Sequence, residues 1–214
     1  MTKKHDLYEE APHVLRMFPT FVWKADLNPD VHQSLDENIV RALDHIRRDE
    51  PELAPGQAWQ SDQALHKLDA FRDLVCCIND TVDSLLGHLR VGTRAFDITA
   101  LWANISMPGA GHRMHCHPNN FLSGVYYVAT HEGANTINFH DPRPQTGIIR
   151  PPVTELTAEN SDQITVTVKN GTLLVFPAWL PHSVDANKSG RARTNISSNI
   201  MFSSYAEDLS KPLW

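Results

Sequence analysis

The feature that most restricts the fold of this chain is a change of sequence pattern near residue 93. From there to residue 202, short runs of β-branched and aromatic residues alternate with turn residues such as Pro-Gly-Ala-Gly at 108–111. Such runs are typical of β-strands. The clearest are residues 96–107, 121–130, 134–141, 163–169, 172–177 and 194–202. Asn170-Gly171 between two of them predicts a hairpin.

The part before residue 93 is helical in pattern. Apolar residues recur at helical spacing from Val31 to Ile46 and again from Leu68 to Leu89, which predicts two amphipathic helices. We expect Pro51 to stop the first helix and the second to end near Gly92. Residues 14–27 suggest a strand, and the segment containing Ala-Trp-Gln-Ser at 58–61 a loop.

The order of these elements predicts the architecture. Two helices followed by about eight strand segments favour an all-β barrel or sandwich backed by helices. With 214 residues, one domain is the simplest division. We expect residues 1–214 to form that domain, with a helical part at 28–92 and a β core at about 93–204.

Composition excludes several classes of partner. The net charge is −6 and no block of Lys and Arg occurs, so nucleic acid is not expected. The chain has no long apolar run and its first residues lack the apolar core of a secretory signal. Three cysteines, two of them adjacent, indicate reduced thiols and a cytoplasmic protein. The helices and the apolar tail at 211–214 would suit a homodimer interface.

A cluster of histidines is the first candidate for a functional site. His112, His115 and His117 lie within Gly-His-Arg-Met-His-Cys-His. In extended chain, His115 and His117 point to one face and form a pair of metal ligands, whereas His112 is out of phase and is expected in a loop. Twelve histidines can also cluster by chance, so this pair alone does not establish a metal site.

Two distant segments add to the cluster. An apolar strand ends in a proline-bounded turn that presents His182, and the next strand begins at Arg193. That strand alternates Arg193, Asn195, Ser197 and Asn199 with apolar or small residues, so one of its faces is polar. Arg191 shares this parity but lies nearer the turn at Gly190, and Arg193 is the stronger candidate for an inward-facing cation.

This order resembles the iron(II)/2-oxoglutarate-dependent oxygenase superfamily: an early histidine, a distal histidine, then an arginine about ten residues later. More narrowly, residues 95–202 resemble a small bacterial and phage group of 2-oxoglutarate/Fe(II) oxygenases. The resemblance implies a double-stranded β-helix, jelly-roll or cupin-like, with the two helices on its outer face. It also implies Fe(II), 2-oxoglutarate and O₂ as the cofactor and cosubstrates of a dioxygenase.

The resemblance also assigns roles to residues. His115 and His182 match the two metal-binding histidines, and Arg193 matches the arginine that pairs with the C5 carboxylate of 2-oxoglutarate. Tyr127 or Tyr126 matches a cosubstrate-contacting tyrosine, with Tyr127 preferred. Asn104 and Asn195 would complete that pocket.

One position departs from the family pattern. His117 stands where the family has Asp or Glu, and the nearest acids in sequence, Asp97 and Glu132, have no matching spacing. Two arrangements are open: a site of three histidines that includes His117, or a site held by His115 and His182 with water. We favour three histidines, because i, i+2 geometry already directs His117 toward the metal.

Two further functions stay open beside the oxygenase. One is a three-histidine cupin-type dioxygenase or a zinc enzyme that uses no 2-oxoglutarate, since imidazole also suits zinc, copper and nickel. The other is a non-catalytic metal-binding module. Only the oxygenase needs Arg193 for a carboxylate, which makes that residue the discriminating one. The sequence does not identify the prime substrate, whose pocket is built by loops.

Overall fold

The computed structural model describes residues 13–92, 95–143 and 151–204. Both α-helices lie in the first half of the chain: α1 (Pro29–Ile46) and α2 (Arg72–His88). Pro29 at the first turn of α1 has the backbone angle that a helix start needs. Each helix buries one stripe, which in α1 consists of Leu35, Ile39 and Leu43, as the apolar spacing predicts.

The second helix is shorter than its sequence pattern predicts. Two 3₁₀ turns, Leu65–Lys67 and Asp69–Phe71, precede α2. Between them Leu68 adopts an extended backbone, and this break lets Leu65 and Phe71 both reach the core. The helix also ends at His88 rather than near Gly92. Tertiary packing has overridden a helical pattern here.

Ten strands make up the rest of the described chain. They are β1 (Trp23–Asp26), β2 (Ala58–Gln60), β3 (Phe96–Ser106), β4 (His112–His115), β5 (Leu122–Ala129), β6 (Thr136–His140), β7 (Gln163–Thr167), β8 (Thr172–Pro177), β9 (His182–Val184) and β10 (Arg193–Phe202). They form two sheets, ordered β1-β8-β5-β10-β3-β2 and β4-β9-β6-β7, and every pair of neighbours is antiparallel. This architecture confirms the predicted mainly-β fold.

The helices cover the outer face of the six-stranded sheet. Leu35 and Ile39 of α1 and Leu74 and Ile78 of α2 share one apolar core with that sheet. Alternate residues of each strand therefore face the helices, while the intervening ones face the second sheet. The six-stranded sheet therefore packs against the helices on its outer face, and its inner face can line a cavity.

The predicted hairpin at Asn170-Gly171 is wrong. A tight turn does occur, with Thr172 N–H donating to Lys169 O at 3.0 Å and Gly171 at a φ of 81°. However, β7 before the turn pairs with β6, and β8 after it pairs with β1 and β5. The turn carries the chain from one sheet to the other, and no local signal distinguishes that from a hairpin.

Several boundaries also differ from the sequence expectations. The strand expected over 14–27 is confined to β1, and residues 58–60 form the short edge strand β2 instead of a loop. His112 lies within β4 and not in a loop. A turn at Pro118 and Asn119 separates β4 from β5.

No helix among the described residues is long and apolar enough to span a bilayer. The tail at 211–214, which we considered for a dimer interface, lies outside the described residues. The assignment of residues 1–214 to one domain stays a prediction.

Candidate metal centre

Two paired strands bring the distant histidines together. In the antiparallel pair β4–β9, His115 lies directly opposite His182. His117 follows the end of β4, where its backbone N–H donates to the Ala178 carbonyl at 2.8 Å. Ala178 precedes β9, so the same two segments position all three side chains.

The three imidazoles form a compact group. Each offers one ring nitrogen, and these nitrogens all lie within 4.8 Å of one another. The His115 ring centroid is 4.3 Å from that of His182 and 5.0 Å from that of His117. Zinc–imidazole bonds are about 2.0–2.1 Å long, so small rotations of these rings would bring the nitrogens onto one ion.

Backbone hydrogen bonds select the ring nitrogen that is available. Nδ1 of His115 lies 2.8 Å from the Arg113 carbonyl, and Nδ1 of His182 lies 2.9 Å from the Leu180 carbonyl. A carbonyl only accepts, so both Nδ1 atoms carry the proton and Nε2 is left to bind a metal. This partnership is the usual way in which proteins orient ligand histidines.

The environment keeps two of these rings neutral. Burial, followed by the neighbouring histidines, lowers the pKa of His117 to about 4. Burial likewise lowers the pKa of His182 to about 4, although the hydrogen bond to the Leu180 carbonyl acts in the opposite direction. A neutral imidazole is the form that binds a metal, so the site is ready to bind near neutral pH.

His112 belongs to the wall of the site and not to the group of three. Its ring stacks on that of His115 with centroids 4.3 Å apart and an interplanar angle of 21°. It reaches this position because the β4–β9 register shifts between His112 and His115. The expectation of a loop residue is therefore corrected, and the irregular strand is the reason.

The histidines open into a cavity of about 620 Å³ between the two sheets. No Asp or Glu is among the described residues that line it. In particular, Asp97 and Glu132 are not part of its wall. Among the described residues, therefore, no acid from elsewhere in the chain replaces the carboxylate that the family pattern has at the position of His117.

Arg193 lies in the same cavity. It opens β10, is only 3% exposed, and its Nε has no hydrogen-bond partner within the described residues. Burial lowers its pKa, yet an arginine stays charged in proteins. Arg191 is exposed. A buried guanidinium with an unused donor is suited to bind a carboxylate.

The other predicted pocket residues divide between two faces. Tyr127, Asn104 and Asn195 line the cavity, at adjacent positions on three neighbouring strands. Tyr126 points the opposite way, where its hydroxyl donates to Asp36 Oδ1 at 2.8 Å. Of the two tyrosines considered, only Tyr127 is placed to meet a ligand in the cavity.

Part of the wall comes from residues that the sequence did not mark as candidates. Trp102, 6% exposed, lines the cavity with its ring 5.7 Å from that of His117. Gln60 and Gln63 also line it. Strand alternation with Asn104 could have placed Trp102 on the inner face, whereas nothing in the sequence marks Gln60 and Gln63.

Known proteins are similar to this chain in sequence and in fold. Residues 100–199 match the model of a family described as "Putative 2OG-Fe(II) oxygenase". No curated protein matches the chain. Among solved structures, a Pseudomonas putida prolyl-4-hydroxylase is 17% identical with a TM-score of 0.55, covering 86% of this chain and 93% of the other.

Two further structures show the same fold. The α-ketoglutarate-dependent carbocyclase SnoK of nogalamycin biosynthesis is 13% identical, covers 90% of this chain and 87% of its own, and has a TM-score of 0.62. HygX of Streptomyces hygroscopicus, solved with nickel and 2-oxoglutarate, is 10% identical, covers 86% and 83%, and has a TM-score of 0.58.

The fold is therefore the double-stranded β-helix of non-haem oxygenases, and its inner wall carries a three-histidine cluster. The family match covers that wall from β3 to β10 and includes all three histidines and Arg193. Residues 100–199 are thus similar to a 2OG-Fe(II) oxygenase family, and the solved structures share the fold of the chain.

Proposed function

We propose that this protein is an Fe(II)- and 2-oxoglutarate-dependent oxygenase that couples oxidative decarboxylation of 2-oxoglutarate to oxidation of a prime substrate. One observation carries the proposal: the three imidazoles and Arg193, whose buried Nε has no hydrogen-bond partner within the described residues, face one cavity. A carboxylate-binding arginine beside a metal site has no evident use in a simple metal-binding module.

In this proposal the metal is held by Nε2 of His115 and His182, together with His117. Bound Fe(II) with its chelating 2-oxoglutarate supplies the activation of O₂. Three protein ligands leave the open coordination positions that this chemistry requires. We favour three histidines over two because the His117 nitrogen lies within 4.8 Å of the others.

Arg193, Tyr127, Asn104 and Asn195 would hold the cosubstrate. The Arg193 fork pairs with the C5 carboxylate, and its burial excludes water that would compete for it. The Tyr127 hydroxyl makes no hydrogen bond within the described residues and is free to donate to the same carboxylate. These residues bind and orient 2-oxoglutarate rather than react.

A second candidate deserves a test because the cavity has no acidic lining residue among those described. An all-imidazole set suits Zn(II), Cu(II) and Ni(II) as well as Fe(II). A three-histidine dioxygenase or zinc enzyme would use the same ligands without 2-oxoglutarate, and Arg193 would then be dispensable for activity.

We also infer a cytoplasmic location for the protein. The three cysteines are free, and Cys76 and Cys116 are exposed. Free exposed thiols are typical of a reducing compartment.

The test of the activity is conversion of 2-oxoglutarate to succinate in air with added Fe(II) and ascorbate. We expect slow turnover by the parent even without a prime substrate and none by His182→Ala, which lacks a ligand. An exposed control, Lys188→Ala, should turn over like the parent. Equal succinate formation by the parent and His182→Ala would contradict the proposal.

A further inference from the structure

The cavity extends well beyond the residues proposed to hold 2-oxoglutarate. Strand β10 forms its long wall, with Arg193 lining one end and Asn199 the other. Asn199 is six residue steps along the strand from Arg193, or about 20 Å at 3.3 Å per residue. The Trp102 ring centroid lies 5.7 Å from that of His117, and Trp102 pairs with Ser197, so His117 lies between the two ends.

We define the distal end by three side chains: Gln63, Trp102 and Asn199. All three line the cavity. Trp102 and Asn199 are on neighbouring strands, and the Gln63 carbonyl accepts from Leu101 N–H at 2.8 Å, which places Gln63 beside Trp102. A substrate that reaches the metal from the side away from Arg193 must contact this group.

The polar atoms of the distal end are mostly unused donors. Asn199 Oδ1 accepts from Ser123 Oγ at 2.9 Å, while its Nδ2 makes no hydrogen bond within the described residues and can donate to a ligand. The Trp102 indole N–H makes no hydrogen bond within the described residues, and the exposed Gln63 amide offers both a donor and an acceptor. The indole nitrogen can only donate, so an acceptor oxygen of a ligand in the cavity would suit it.

The charge of the cavity also favours a ligand that brings acceptor oxygens. A divalent metal and the Arg193 guanidinium, set against the two carboxylates of 2-oxoglutarate, leave an excess of one positive charge. No acidic residue among those that the structure describes lines the cavity to compensate for it, while Arg113 lies at its exposed rim. An ammonium group brought here would meet donors and positive charge without a partner.

We propose that the distal end binds the prime substrate through carbonyl or carboxylate oxygens, with a planar part against Trp102, and that it rejects amines. This rests on the proposed oxygenase function. The donors outnumber the acceptors and favour an acceptor oxygen, and the indole favours a flat group. The lack of an acid among the described lining residues disfavours a cation. Carboxylic acids and amides share this chemistry, so the two are separated by experiment.

The test uses three probes of one shape: 3-phenylpropanoate, 3-phenylpropanamide and 3-phenylpropylamine. Each is titrated by calorimetry, under anaerobic conditions, into the full chain saturated with Fe(II) and 2-oxoglutarate. Absorption of the Fe(II)–2-oxoglutarate chelate is followed in the same samples. Its persistence shows that a probe has not simply displaced 2-oxoglutarate from Arg193.

We expect the carboxylate and the amide to bind at least about tenfold more tightly than the amine, because one charge-assisted or desolvated hydrogen bond is worth that factor. A tighter carboxylate than amide identifies an anionic substrate, and equal affinities identify a neutral carbonyl. Asn199→Asp keeps the acceptor for Ser123 but replaces the donor with an anion. This substitution should reduce the preference for the carboxylate and the amide over the amine by at least about tenfold.

Asn38→Asp, on the outer helix α1, is the matched control and should keep the parent's preference. Any of three results overturns the inference. The amine binds as tightly as the carboxylate and the amide, neither of those two binds, or Asn199→Asp keeps the preference of the parent. If the parent does not bind 2-oxoglutarate at all, the proposed function fails instead, and the absorption measurement distinguishes the two failures.

Discussion

His115 and His182 face each other across two paired antiparallel strands, with ring centroids 4.3 Å apart. Each ring donates from Nδ1 to a backbone carbonyl two residues earlier in the chain. The repeated arrangement directs both Nε2 atoms into the cavity before any ligand is present. Such preorganisation lowers the cost of ordering the side chains when a metal binds.

Removing either of these histidines should abolish tight metal binding. Loss of a residue that only supports a ligand typically costs about 10–100-fold in affinity, so His115→Ala and His182→Ala should each lose more than that. Calorimetric titration with Ni(II) or Co(II) measures it. His112→Ala, which removes the stacked neighbour alone, should bind within about tenfold of the parent.

The same titration decides the role of His117. His117→Ala should weaken metal binding as strongly as the other two substitutions when three histidines hold the ion. If His117→Ala is harmless while His115→Ala and His182→Ala are not, the two-histidine arrangement is correct. Undiminished affinity in both His115→Ala and His182→Ala would remove the metal site altogether.

Arg193→Ala should weaken 2-oxoglutarate binding and leave metal affinity nearly unchanged. Removing one partner of a buried charged pair typically costs about 3–5 kcal/mol, on the order of 10²–10³-fold or more in affinity. Arg191→Ala is the control, because Arg191 is exposed. Calorimetry with the nickel-loaded protein measures both, and equal binding by the two variants would contradict the assignment of Arg193.

Tyr126→Phe should destabilise the fold in a pH-dependent way. Tyr126 donates to Asp36, whose pKa is raised by burial and lowered in part by this hydrogen bond. Without the donor that pKa rises further. A carboxyl group whose pKa is raised in the folded state lowers the free energy of unfolding as the pH increases through that pKa. The loss of stability in Tyr126→Phe should therefore be small near pH 3.5 and reach about 1–3 kcal/mol at neutral pH.

Urea unfolding across that pH range measures the effect of Tyr126→Phe. Tyr127→Phe is the matched control, since the Tyr127 hydroxyl makes no hydrogen bond within the described residues and faces the cavity. Its stability should follow that of the parent at every pH. A loss in Tyr126→Phe that does not change with pH would show that Asp36 is not the partner that matters.

Gly171→Ala should be more destabilising than Gly56→Ala. Both glycines have positive φ, 81° and 82°, so both substitutions incur about 1–2 kcal/mol for the left-handed backbone. A Cβ at residue 171 would also come within 2.6 Å of the His32 ring, whereas one at residue 56 meets nothing within 4 Å. The difference in urea unfolding should be about 1–3 kcal/mol.

The polar face of β10 was predictable because strand alternation is a local rule: Arg193, Asn195, Ser197 and Asn199 all line the cavity. The helical stripes of α1 were predictable for the same reason. The pairing of strands, in contrast, depends on segments that are distant in the sequence. Asn170-Gly171 makes a turn as predicted, but whether its flanking strands pair depends on β6, β1 and β5, which compete for them.

The histidine site shows the same limit. The i, i+2 spacing correctly brought His115 and His117 to one face, although His117 lies past the end of the strand. His112 also faces the cavity because β4 has an irregular register against β9, and such irregularities leave no regular pattern in a sequence. Gln60 and Gln63 come from a separate segment whose approach is a property of the whole fold.

The most direct test of the account is the absorption of the Fe(II)–2-oxoglutarate chelate under anaerobic conditions. Adding 2-oxoglutarate to the Fe(II)-loaded parent should produce a metal-to-ligand charge-transfer band that saturates, and His182→Ala should produce none. A parent that binds Fe(II) but shows neither the band nor any calorimetric signal with 2-oxoglutarate would contradict the account. The three-histidine dioxygenase or zinc enzyme would then take its place.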